Sequence, residues 1–177
     1  LFATIGLNGK PVVMFKSKTI KENNEFLNTF VDAIAHLQTE KIAFLRGLAC
    51  DDLQKAFAYF SEHGISDDNL ILELQEEFSQ ERLLLIDGKS ITPEKQQHLN
   101  SLESPHNDYR AVFAVDMLNE GWDVLNLFDI VRLYDTRDAK GNKPGKTTMQ
   151  EAQLIGRGAR YFAFNDPNKP EKMGMRK

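Results

Sequence analysis

Gln153, Gly156, Arg157 and Arg160 fall at i, i+3, i+4 and i+7 in the run Gln153-Leu-Ile-Gly-Arg-Gly-Ala-Arg160. On a helix this spacing puts all four on one face. Ala152, Ile155 and Ala159 take the other face and suit packing. The polar face carries an amide, two guanidiniums and a glycine that lets a ligand approach closely. Each guanidinium is a planar, permanently charged fork of donors, so the pair matches the oxygens of a polyphosphate. A solvated basic helix face would show the same two arginines.

A second stretch is Ala114-Val-Asp-Met-Leu-Asn119-Glu-Gly121-Trp-Asp123-Val124. It follows directly on the apolar run Arg110-Ala-Val-Phe-Ala-Val115, which reads as a buried strand. In parallel sheets, ligands bind beyond the carboxyl ends of strands, where such a stretch would sit. Gly121 permits close backbone approach, and Asp123 can accept hydrogen bonds from a ribose. The plainer alternative is an ordinary turn with Trp122 packed beneath it.

Elements that would position these groups alternate along the chain. Strands are expected at Pro11–Phe15, Lys41–Leu45, Leu83–Ile86, Arg110–Val115, Phe128–Tyr134 and Tyr161–Phe164. Thr19 and Glu22 have the capping-box spacing and open a long helix to about His36–Leu37. Asp51/Asp52 open a helix that stops near Gly64, and an acidic helix covers Asp67 to Ser79. Thr92-Pro93 starts another with Pro at its first position. Thr148-Met-Gln-Glu151 starts the last, through Arg157. Strands apolar on both faces, separated by amphipathic helices, predict an α/β fold with a mainly parallel sheet and helices on both faces.

The chain has 177 residues, enough for one domain. Its 41% hydrophobic and 27% charged residues exclude collagen, wholesale disorder and fibrous repeats. No apolar run reaches the roughly 18 residues that span a bilayer. With Cys50 as its single cysteine, it has no disulfide framework and no Cys-based zinc site. No basic-then-apolar leader opens it, so the expected compartment is the cytoplasm. The start at Leu1 suggests a piece of something longer. Net charge is −4, split unevenly: −10 over residues 1–130 and +6 over residues 131–177. The last quarter is thus a candidate for meeting phosphates, or a solvated basic tail.

The run Phe113-Ala-Val-Asp-Met-Leu-Asn-Glu-Gly-Trp-Asp-Val-Leu-Asn-Leu127 resembles motif V of superfamily-2 helicases. Gln153 to Arg160 resembles motif VI, Q-x-x-G-R-x-x-R. The spelling L-N-E-G-W-D-V-L-N-L is similar to one branch, the restriction (Res) subunits of type III restriction enzymes. Pro11-Val-Val-Met-Phe-Lys-Ser-Lys18 fits motif IV, and Leu99-Asn-Ser-Leu-Glu103 also fits that branch. The resemblance covers roughly residues 10–164.

It implies that residues 1–164 form the second RecA-like motor domain and that 165–177 are a flexible terminus. In that family ATP and Mg²⁺ lie between two RecA-like domains, and this one supplies the arginine finger. Arg157 and Arg160 match the catalytic motif VI arginines. Gln153, Gly156, Gly121 and Asp123 match nucleotide-side positions. Lys16, Ser17 and Asn119 fall on the nucleic-acid side. Many members carry Thr before the motif V Asp; here Val115 stands there, so no hydroxyl contact carries over. The implied partners are double-stranded DNA, an upstream RecA-like domain, a C-terminal nuclease domain and a modification (methyltransferase) subunit, with no membrane. The competing readings are another superfamily-2 ATPase, a non-catalytic nucleic-acid-binding module, and a lone metal-dependent nuclease.

Three features imitate other sites. Gly141-Asn-Lys-Pro-Gly-Lys-Thr147 is one residue short of a P-loop, which alters the amide nest that cradles phosphates. No other stretch matches, so Walker A is expected in the upstream domain. Asp87-Gly-Lys89 resembles half of a nuclease site but reads as a turn, and Asp67/Asp68 could complete it only by leaving their helix. His36, His63, His98 and His106 have no ligand spacing and read as surface or packing residues. Cys50 reads as a packed thiol.

Overall fold

A computed structural model of the protein describes residues 10–48, 50–86, 92–102, 104, 106–115 and 127–134. Among them are four strands and five α-helices. In chain order these are β1 (Val12–Ser17), α1 (Ile20–Ala35), α2 (Thr39–Arg46), α3 (Asp51–Glu62), α4 (Asp67–Glu77), β2 (Leu83–Ile86), α5 (Pro93–Asn100), β3 (Ala111–Val115) and β4 (Leu127–Arg132). The strands form one sheet in the order β2-β3-β1-β4, and every pairing is parallel. This is the α/β architecture expected of a RecA-like domain.

Alternation along the strands divides the core. On one face Val12, Met14, Leu84, Ile86, Val112, Ala114 and Leu127 pack with Leu99 of α5 and with Leu102. On the other face Phe15 stacks on Phe113 with ring centroids 5.0 Å apart. Phe26 and Phe30 of α1 each lie 5.2 Å from Phe15. Helices therefore cover both faces, as the two-sided apolar strands require. Burying each such side chain is worth roughly 1.5–3 kcal/mol. Phe128 is the extra residue where β4 shifts register against β1, and it is exposed at this outer strand.

Local chemistry sets the helix ends. Thr19 accepts from the Glu22 amide at 3.2 Å, and the Glu22 carboxylate accepts from the Thr19 amide at 3.1 Å. Gly64 adopts φ +68° just beyond α3, the left-handed turn that a glycine makes without strain. Thr92 caps α5 and Pro93 occupies its first position.

One expected strand is a helix. Lys41–Leu45 lies within α2, and the reason is which side chains are covered. A strand would put Ile42 and Phe44 on the same face. Ile42 is instead buried against Phe57, Leu70 and Ile71, while Phe44 is 66% exposed. Glu40, Lys41, Ala43, Leu45 and Arg46 are all good helix formers. The segment joins α3 and α4 in a helical unit with its own small core, inserted between α1 and β2. The expected strand Tyr161–Phe164 and the expected helix from Thr148 lie outside the described residues.

Candidate functional site

A parallel sheet has all its carboxyl ends at one edge, and four strand ends meet there: Ser17, Ile86, Val115 and Arg132. Strands β3 and β1 are the central pair, with Ser17 opposite Val115. The stretch 116–126 begins immediately after Val115, so the motif V-like run starts at this edge.

Lys16 stands between Ala114 and Arg132 in the strand register. Two cations thus sit side by side on one sheet face at its carboxyl edge. Lys16 is only 4% exposed and Arg132 is half-buried. The Arg132 guanidinium lies 5.7 Å from the ring centre of Tyr134. The Leu133 amide donates to the Lys16 carbonyl at 2.9 Å and extends the β4–β1 pairing past the strand end.

Ser17 is 1% exposed, and its hydroxyl donates to Asn23 Oδ1 at 3.1 Å. Asn23 is fully buried in the first turn of α1, and its amide donates to the Thr19 carbonyl. Its Nδ2 has no hydrogen-bond partner. The capped amino end of α1 therefore rests on the carboxyl end of β1 through a buried side-chain bond.

Of the residues singled out by sequence, the structure describes Lys16 and Ser17, adjacent at this edge. Asn119, Gly121, Asp123, Gln153, Gly156, Arg157 and Arg160 lie outside the described residues, as do Trp122, Gly141–Thr147 and Asp87–Lys89. Sequence reasoning passed over Arg132 and Asn23. The available signals were a basic residue closing an apolar strand and an asparagine in the first turn after a capping box.

At the opposite edge, Arg82 precedes β2 and Arg110 precedes β3, and both bond to Glu77 at the end of α4. Arg82 also reaches Glu76 at 3.2 Å. Burial would raise the Glu77 carboxyl, but the hydrogen bond and charge of Arg110, with those of Arg82, outweigh it. They hold Glu77 below the usual carboxylate range. This cluster joins the helical unit to the sheet, far from the strand carboxyl ends.

Other candidates have structural partners. Asp67 stays in α4 and pairs with Arg46. His36 Nδ1 lies 2.9 Å from the Asp32 carbonyl oxygen, and His63 stacks on Tyr59. His98 meets Tyr109 edge-on. Cys50 is exposed at the start of α3 rather than packed, because it sits in the extended link between two helices. Among the described residues, no three His, Cys, Asp or Glu side chains cluster as a metal site. No helix there is long and apolar enough to cross a membrane.

Over 162 residues the chain is 31% identical to the probable type III restriction-modification enzyme HindVIP Res subunit of Haemophilus influenzae. The likeness is to a type III Res subunit. It takes in 79% of this chain but 32% of the relative, so the chain spans about a third of the relative's length. A family model described as the HI_1054_N N-terminal region matches residues 147–177. No solved structure matches the chain.

Lys16 and Arg132 at the carboxyl edge are cations, and Gln153, Arg157 and Arg160 supply an amide and two guanidiniums in the sequence, groups whose chemistry suits phosphate oxygens.

Proposed function

We propose that the chain is the second RecA-like motor domain of an ATP-dependent DNA translocase or helicase of the type III Res kind. The observation that carries this reading is order. The motif V-like run starts at the carboxyl end of central strand β3, motif VI follows it, and a Res subunit shares 31% identity across most of the chain. A run that follows directly on a strand of a parallel sheet follows the edge where such sheets bind ligands, which supports this reading.

Arg157 and Arg160 act as electrostatic stabilisers. Their guanidiniums face the γ-phosphoryl group across a domain interface and balance the charge that builds there during transfer. Gln153, Gly156, Gly121 and Asp123 bind and orient the nucleotide, with Asp123 accepting from the ribose. Lys16, Ser17 and Asn119 lie on the nucleic-acid side, the buried Lys16 and Ser17 side chains shaping that edge from beneath. Mg²⁺, held by an acid of the partner domain, would neutralise part of the phosphate charge. The partner domain supplies Walker A and the metal-holding acid. Domain closure excludes water, and reopening resets the DNA contacts. In the cell the assembly acts in the cytoplasm on double-stranded DNA with a nuclease domain and a modification subunit.

The test is Arg160→Ala in the full-length protein, read by DNA-stimulated ATPase activity. Loss of turnover with DNA binding retained supports the reading; unchanged turnover refutes it. The +6 charge of residues 131–177 favours a second reading, a non-catalytic nucleic-acid-binding module. Full-length protein that binds DNA but never hydrolyses ATP would select it.

A further inference from the structure

We propose that the helical unit α2–α4 is a docking surface for a basic, amphipathic protein segment. Residues 39–77 carry nine acidic against three basic side chains, so this unit repels nucleic acid. A groove of about 510 Å³ opens between the amino-terminal turns of α2 and α4. Its apolar lining is Leu37, Ile71 and Leu72, and Glu40 and Asp68 stand at its rim. Neither rim carboxylate has an ion-pair partner among the described residues.

Two large apolar side chains on these helices are exposed. Leu72 is 64% exposed, one turn beyond Asp68 on α4. Phe44, one turn beyond Glu40, lies on the same face of α2. An apolar groove lined also by two unpaired carboxylates, on helices that expose Leu72 and Phe44, is complementary to one class of ligand. That ligand is a helix that inserts aliphatic residues and sets Lys or Arg beside them.

The unit is also built to present a fixed surface. The Arg46 guanidinium bonds to Asp67 and lies 4.4 Å from the ring centre of Phe57, tying α2 to both α3 and α4. Gln75 Nε2 donates to the Ala35 carbonyl at 3.0 Å, and Phe78 meets Phe30 edge-on. These contacts fix the unit against α1, and among the described residues nothing fills the groove. The proposal does not depend on the motor reading.

The experiment uses the 177-residue chain and a fluorescein-labelled Leu/Lys peptide of about 18 residues with helical amphipathic spacing. A scrambled peptide of the same composition is the control. Anisotropy is expected to show saturable binding of the patterned peptide only. Leu72→Ser and Phe44→Ser should each weaken it about tenfold, since burying such a side chain is worth at least a decade of affinity. Both positions are exposed, so the variants should keep the wild-type circular dichroism spectrum. The double change Glu40→Gln with Asp68→Asn should weaken binding at low salt and much less at high salt. Equal binding of the scrambled peptide, or no effect of Leu72→Ser and Phe44→Ser, would overturn the proposal. So would displacement of the peptide by a DNA duplex, or self-association abolished by Leu72→Ser without peptide binding.

Discussion

The Ser17 hydroxyl donates to Asn23 Oδ1 at 3.1 Å, and both side chains are buried where β1 hands over to α1. The bond ties the end of a central strand to the first turn of the helix covering it. Asn23 Nδ2 is left with no acceptor, so the pair is only half satisfied. Removing one partner is therefore expected to cost more than removing both. Ser17→Ala should lower unfolding free energy by about 1–3 kcal/mol, because it strands the amide oxygen as well. Ser17→Ala combined with Asn23→Leu should recover part of that loss. Urea denaturation of the single and double variants measures the coupling; additive losses would mean the bond contributes nothing.

Glu77 links the helical unit to the amino ends of β2 and β3 through Arg82 and Arg110. Its folded carboxyl lies below the usual range, so the folded state favours the charged form. The stabilisation is then fully present above the unfolded value of about 4.3 and is lost as pH falls through the lower folded value. Glu77→Gln should cost about 1–2 kcal/mol at neutral pH for this partly exposed cluster. The variant should lose less stability than wild type between neutral and acid pH. Thermal unfolding across that range checks the slope; parallel wild-type and variant curves would exclude the role.

The α2 segment separates two side chains that a strand would have placed together. Ile42→Ala should destabilise by about 2–4 kcal/mol, the cost of a cavity in a small core. Phe44→Ser should fall within about 0.5 kcal/mol of wild type, since its ring is exposed. Comparable losses at both positions would favour the strand.

Most of the sheet was legible because its strands are apolar on both faces and flanked by strong stops. Thr19, Gly64 and Thr92-Pro93 mark their helix ends by local chemistry alone. The failure at 41–45 has a tertiary cause. A run of five residues with four apolar ones fits a buried strand or a short helix, and the partner core of Phe57, Leu70 and Ile71 decides. Cys50 was misjudged for a similar reason, since burial at a helix start depends on neighbours. Motif spelling singled out Lys16 and Ser17, which lie at the carboxyl end of β1. The Lys16–Arg132 adjacency could not be found this way, because the register between distant strands is absent from local pattern.

The isolated chain is expected not to hydrolyse ATP, since its P-loop-like run Gly141–Thr147 is one residue short. In the full-length protein, Arg157→Ala and Arg160→Ala should each cut ATPase turnover by about 10³–10⁵, the range for a lost arginine finger. DNA affinity should change little in both. Sustained turnover by the chain alone that Lys146→Ala abolishes would reverse the assignment.

DNA binding by the chain alone should be weak and independent of sequence. A net charge of −4 opposes it, and the net positive charge of the chain is concentrated in residues 131–177. Each phosphate contact releases condensed counterions, so affinity falls as salt rises. If Arg132 meets the backbone beside Lys16, Arg132→Gln should reduce the slope of log affinity against log salt by about one. The loss should be uniform across duplex sequences, because a phosphate contact carries no base information. Arg132→Lys keeps the charge and should restore most of the slope while losing the planar guanidinium over Tyr134. Anisotropy titrations of one duplex at several salt concentrations separate these outcomes. An unchanged slope in Arg132→Gln would assign the Lys16–Arg132 pair to the folded state alone.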